Sequence, residues 1–174
     1  MTSTENLIPF RLITIYIFTL IFLFLAGCGS GKTVVMEPVT EKSDVSTIGI
    51  VAGKSTVNIP DDVVNKFHKK LEQLLYDEGK FIKGADLIIT YRFIQYDEGN
   101  QFTRWFWGGI GNAGEGAITV EAIYSNASEN NLAKIQSEGK IGSGFFGGDF
   151  SLAVEKAAEE IADYTITNFN NGNL

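Results

Sequence analysis

Asp86-Leu87-Ile88-Ile89-Thr90-Tyr91-Arg92-Phe93-Ile94-Gln95-Tyr96 is the stretch whose reading decides the fold. Leu87, Ile89, Tyr91 and Phe93 fall on one side of an extended chain, and Ile88, Thr90, Arg92 and Ile94 on the other. A period of two in β-branched and aromatic residues specifies a strand with one side against a core. Upstream the period changes. In residues 60–76, Val63, Val64, Phe67, Leu71, Leu74 and Leu75 make a single helical stripe. Pro60 suits the first turn, Asp61 and Asp62 favour the positive helix end, and Gly79 can stop the helix.

Further elements extend this pair in both directions. Residues 45–52 alternate as an earlier strand, with Ile48, Ile50 and Ala52 aligned. Residues 117–124 align Ile118, Val120, Ala122 and Tyr124, and residues 132–141 put Lys134, Gln136, Glu138 and Lys140 on one face. Turn-forming residues 125–131 separate these two strands. Residues 149–169 close the chain as a helix, with Phe150, Val154, Ala157, Ile161 and Tyr164 at helical spacing. Ala153, Ala157, Ala158 and Ala162 permit that helix to approach a sheet closely. The predicted class is α+β: a two-layer sandwich in β-α-β-β-β-α order, its mixed sheet carrying both helices on one face. The first two of these strands are expected to be parallel, because a helix connects them.

The N-terminal region carries a different kind of signal. An apolar run over residues 12–25 ends in Leu25-Ala26-Gly27-Cys28. The run has the length of a signal-peptide core and is short for a membrane span. Small residues at Ala26 and Gly27 admit a peptidase, and Cys28 supplies a thiol for a lipid. The expected organisation is a lipoprotein signal peptide over residues 1–27, a lipidated tether over 28–44, and a single domain over 45–174. Two or more acyl chains, at about 0.8 kcal/mol per buried methylene, hold a protein on a membrane almost irreversibly. Gly29 lacks the acidic signal that retains many lipoproteins at the inner membrane, which favours the periplasmic face of the outer membrane. Ala26 to Thr33 also fits a relaxed phosphate-binding loop, but such a loop needs a helix after it. Thr33-Val34-Val35-Met36-Glu37-Pro38 does not read as one.

Composition excludes several classes. The formal net charge is −7, so there is no basic footprint for nucleic acid. Cys28 is the only cysteine and His68 the only histidine. The mature chain therefore has no disulfide and no thiolate metal site, and neither a metal nor a cofactor is expected. His68 sits at the edge of the first helix stripe, with no orienting partner evident in its neighbourhood. The carboxylate pairs Asp61/Asp62, Asp77/Glu78, Asp97/Glu98 and Glu159/Glu160 read as helix ends, turns and a polar helix face.

Two glycine-rich aromatic segments stand out. One contains Trp105, Phe106 and Trp107 followed by glycines; the other contains Phe145 and Phe146 between Gly144 and Gly147. If exposed, these five aromatic residues would anchor a protein contact or lie at a bilayer interface. The alternative is that they cap the core beneath a long hairpin.

Gly84-Ala85-Asp86-Leu87-Ile88-Ile89-Thr90, the glycine-rich approach to Ala117-Ile118-Thr119-Val120-Glu121-Ala122, and the segment 144–150 before an alanine-rich helix resemble a family of bacterial lipoproteins. That family is catalogued as domain of unknown function 4410. The resemblance covers about residues 84–168 and implies an envelope lipoprotein with a small α/β domain. It brings no catalytic residues with it. The expected function is a non-enzymatic, lipid-anchored module that binds or scaffolds another envelope protein. The alternative is a hydrolase acting on an envelope polymer through carboxylates such as Asp97 or Glu98.

Overall fold

The computed structural model describes residues 29–39, 45–78, 81–98, 116–141 and 149–170. Among them are six strands and two helices: β1 Gly29–Glu37, β2 Thr47–Ala52, α1 Asp61–Glu72, β3 Ile82–Lys83, β4 Leu87–Asp97, β5 Ala117–Asn126, β6 Asn131–Ile141 and α2 Ser151–Phe169. The strands form one sheet in the order β1-β6-β5-β4-β2-β3. β2 runs parallel to β4, as their helical connection requires, and β4, β5 and β6 form an antiparallel meander. This is the expected α+β sandwich with a mixed sheet.

Alternation along β4 does what the sequence specifies. Leu87, Ile89, Tyr91 and Phe93 are buried, and the residues between them are only half-buried. Ile118, Val120, Ala122 and Tyr124 of β5 join the same core with Ile135 of β6. Above them lie Val63, Phe67 and Leu71 of α1, with the Phe67 ring 4.9 Å from that of Tyr91 and 5.3 Å from that of Phe93. Each such side chain removed from water contributes roughly 1.5–3 kcal/mol.

Pro60 is extended and stands one residue before α1, its carbonyl accepting from the Val63 and Val64 amides. Beyond Glu72 the helix widens into a π-helical turn, Gln73–Glu78. There Leu75 stays buried and the Tyr76 hydroxyl donates to the carbonyl of Ile48 at 3.0 Å.

Small residues set the distance between α2 and the sheet. Ala153, Ala157, Ala158 and Ala162 are buried. Opposite them, Gly139 of β6 leaves no room for a side chain: a Cβ there would stand 1.8 Å from the carbonyl oxygen of Ala153. Ser137 Oγ donates to the carbonyl of Ala157 at 2.6 Å, so this buried hydroxyl on β6 is satisfied by the helix it faces. Near the far end of α2 the Tyr124 hydroxyl lies 3.0 Å from Thr165 Oγ1, and its ring stacks on Phe169.

Two expectations need correction. Residues 29–37 are no tether: they form β1, an edge strand antiparallel to β6, with Gly29 opposite Ile141 and Glu37 opposite Lys134. The reason is tertiary. Gly29 lies against Leu152 and Lys156 of α2, and Gly31 passes beneath Glu160, where an added side chain would crowd it. Thr33 Oγ1 then donates to Glu160 at 2.6 Å. The same strand removes the phosphate-loop reading, since Gly29 to Thr33 run extended and lead to no helix. The element order also gains the short strand β3, which pairs only with Thr47 and Ile48 and is too brief to show a period.

Candidate functional site

Cys28, Trp105, Phe106, Trp107, Phe145 and Phe146 lie outside the described residues. The described residues that border these segments converge. Gly29 opens β1 opposite Ile141, the last residue of β6. The Ile141 amide donates to the carbonyl of Gly116 at 3.0 Å. A Cβ on Gly116 would stand 2.8 Å from the carbonyl oxygen of Glu98 and 2.9 Å from the ring of Phe150. The rings of Tyr96 and Phe150 meet edge to face at 5.3 Å. Thus the chain leaving Cys28, and the borders of both aromatic segments, meet at one end of the sheet.

Among the carboxylates, Glu98 and Asp62 both act on the Tyr96 phenol, and burial together with the charges of Glu160 and Glu159 holds Asp163 above its ordinary value. Asp97 and Glu98 stand exposed at that same sheet end, where Glu98 accepts from the Tyr96 hydroxyl. Asp61 and Asp62 lie in the first turn of α1, and Asp77 and Glu78 are exposed in its π-helical extension. Glu159 and Glu160 have different partners: Lys156 Nζ at 2.5 Å and Thr33 Oγ1 at 2.6 Å. Among the described residues no group of three His, Cys, Asp or Glu is placed to hold a metal ion.

His68 acquires partners that the sequence showed only in part. Its Nδ1 lies 3.1 Å from the hydroxyl of Tyr91, and its Nε2 lies 4.0 Å from Glu72 Oε1. Glu72 is four residues further along the same helix, a spacing that places the two on one face; that signal was available. Tyr91 arrives from β4, and no local pattern announces it. Lys83 completes the group, its Nζ 2.6 Å from Glu72. Burial pushes the Tyr91 phenol up to about 12, with the charge of Glu72 adding to the effect. Tyr91 is 1% exposed, so through it this group joins α1 to the sheet.

The sheet face away from the helices carries a second charge cluster. Glu121 of β5 is 4% exposed, and its carboxylate takes Arg92 Nη2 at 2.6 Å and Lys134 Nζ at 3.2 Å. Burial alone would raise this carboxyl. The hydrogen bonds from Lys134 and Arg92, with their charges, outweigh it and hold the group below its ordinary value. The three residues sit on adjacent strands β4, β5 and β6, so the cluster locks their register.

Among the described residues no helix is long and apolar enough to cross a membrane. A comparison with curated protein sequences finds no match. Solved structures resemble this chain to different degrees. A PelC variant dodecamer from Paraburkholderia phytofirmans superposes with a TM-score of 0.50 at 12% identity, over 83% of this chain and 100% of that one. A second PelC dodecamer structure from the same organism gives a TM-score of 0.37 at 10% identity, again over 83% and 100%. A minor lipoprotein of Acinetobacter baumannii gives 0.40 at 8% identity, over 71% of this chain and 94% of that one. The sequence pattern described as a domain of unknown function, DUF4410, matches residues 41–144, more than half of the chain. The protein belongs to the DUF4410 family.

Proposed function

We propose that this chain is a lipid-anchored protein of the bacterial envelope, held through Cys28 at the periplasmic face of the outer membrane, and that it works as a non-enzymatic scaffold. The observation that carries the reading is the pairing of Gly29 with Ile141. With the sheet beginning one residue after the lipid-bearing position, the domain lies against the bilayer instead of hanging from a tether. Adjacent Cα atoms are about 3.8 Å apart, which fixes the separation. The same sheet end receives the borders of the segments holding Trp105, Phe106, Trp107, Phe145 and Phe146. The reading expects a protein or lipid contact from these aromatics. The dodecameric state of the structurally similar PelC supports an assembly role for this fold.

Expression of the full chain in a diderm bacterium, followed by separation of inner and outer membranes, tests the reading. The wild type is expected in the outer-membrane fraction, and Cys28→Ala is expected to leave it. Equal outer-membrane recovery of both chains would overturn it. A photoreactive residue at position 107, compared with one at position 159 on α2, then identifies what position 107 touches.

A further inference from the structure

The large apolar side chains that stay exposed among the described residues are Val34, Val35, Met36, Val51 and Ile82. They are not scattered. Val34, Val35 and Met36 belong to β1, one outer strand of the sheet, and Val51 and Ile82 belong to β2 and β3, at the other. Outer strands are ordinarily guarded by charge, Pro or a covering loop, because their unpaired backbone groups invite another chain. β1 has a bulge between Val35 and Glu37, but the extra residue is Met36, half exposed and apolar, where a guard would be charged. On the other side β3 covers only Thr47 and Ile48, leaving the rest of β2 without a strand neighbour among the described residues.

The register puts the two apolar edges at one height. Val35 pairs with Ile135, Ile135 with Ala122, Ala122 with Tyr91, and Tyr91 with Ala52. One row along, Glu37, Lys134, Ile123, Thr90 and Val51 follow each other across the sheet. Strand direction fits as well. β1 opposes β6, β6 opposes β5, β5 opposes β4, and β4 is parallel to β2, so β1 runs opposite to β2. A second copy that continues the sheet sideways therefore sets its β1 antiparallel to the first copy's β2, the better-bonded of the two pairings.

We propose that copies of this chain join head to tail, β1 of one against the uncovered outer side of β2 in the next. Each contact covers Val34, Val35 and Met36 on one copy and Val51 on the other, and leaves the next edge open for a further copy. A two-fold pairing of β1 with β1 would cover one edge and leave the other bare. Repetition of the head-to-tail contact gives a ring if the rotation closes and a filament if it does not. The inference rests on the proposed envelope scaffold, since anchorage in one membrane holds the edges of neighbouring copies in a common plane.

The test uses the full chain in intact cells, with a short bifunctional thiol cross-linker. A chain carrying both Val35→Cys and Ala52→Cys is expected to give a ladder of dimers, trimers and higher forms. Either substitution alone, and the parent chain with Cys28 only, are expected to give monomer. Adding Met36→Lys, at an exposed bulge position, is expected to abolish the ladder while the protein keeps its protease resistance. Dimers from Val35→Cys alone would overturn the proposal in favour of a two-fold contact. Monomer from the double variant, with membrane attachment and protease resistance intact, would overturn it while leaving the anchor reading standing. Loss of attachment from Cys28→Ala is scored separately, so the two readings fail independently.

Discussion

Gly29 stands opposite Ile141 in the ladder between β1 and β6, so the residue that follows Cys28 is already part of the sheet. A lipid on Cys28 leaves the domain no slack. Inserting about 12 flexible Gly and Ser residues between positions 28 and 29 adds roughly 20 Å of root-mean-square reach. A fluorophore at Lys140→Cys, beside that sheet end, is expected to be quenched by a bilayer-resident quencher in the parent chain and to lose most of that quenching after the insertion. Equal quenching in both chains would contradict the close attachment.

Gly139 and Gly31 distinguish a rigid close approach from a yielding one. At Gly139 the obstacle is backbone: the carbonyl oxygen of Ala153 would lie 1.8 Å from an added methyl, and it cannot move without shifting α2. At Gly31 the nearest atoms belong to the flexible end of Glu160, at 2.6 Å. Gly139→Ala is expected to cost about 2–3 kcal/mol and Gly31→Ala less than about 1 kcal/mol, read from urea unfolding midpoints. Comparable losses would show that α2 is not seated on Gly139.

Glu121 gives stability a dependence on acid. Its carboxyl is held below the ordinary value in the folded protein, by hydrogen bonds and charge that outweigh burial. A group with a depressed folded pKa contributes stability above its unfolded value, about 4.3 for Glu, and that contribution disappears as pH falls through the lower, folded value. Glu121→Gln is expected to cost about 2 kcal/mol at pH 7, because Arg92 and Lys134 lose their shared counter-charge. The difference between parent and variant is expected to shrink as pH drops below about 4.3, the ordinary glutamate value. A difference that stays constant through that range would exclude the ion cluster as its source.

Tyr91 acts at the alkaline end. Its phenol is pushed up to about 12 by burial and by Glu72. The stabilisation is complete below the ordinary tyrosine value of about 10, and is lost as pH rises from there through the folded value. Ultraviolet titration of the folded protein is expected to contain a late tyrosine component that Tyr91→Phe reduces by one phenol. Persistence of the full late component in Tyr91→Phe would assign it to other phenols.

The strands and helices that carry large side chains were legible because burial and period coincide in them. Leu87, Ile89, Tyr91 and Phe93 alternate in the sequence and are buried in the fold. Val63, Phe67 and Leu71 follow the helical period and lie on the core side of α1. β1 was illegible for the opposite reason. Gly29, Ser30, Gly31 and Lys32 have low strand preference, and what makes them a strand is the nearness of α2 overhead, a contact from more than a hundred residues away. Ile94 marks another limit: the ladder skips from Phe93 to Gln95, a bulge that an alternating reading passes over. The face bearing Lys134, Gln136, Glu138 and Lys140 could be read locally. Its union with Arg92 through Glu121 required the register of three strands.

The most direct test of lipid anchorage is the chemical state of Cys28 in protein extracted from membranes with detergent. Trypsin cleaves after Lys32, so mass spectrometry of the peptide Cys28-Gly29-Ser30-Gly31-Lys32 reads the anchor and the cleavage site together. The expected peptide begins at Cys28 and carries a thioether-linked diacylglyceryl group. A chain that retains residues 1–27 with an unmodified Cys28 thiol, or one cut elsewhere without lipid, would contradict the anchored scaffold.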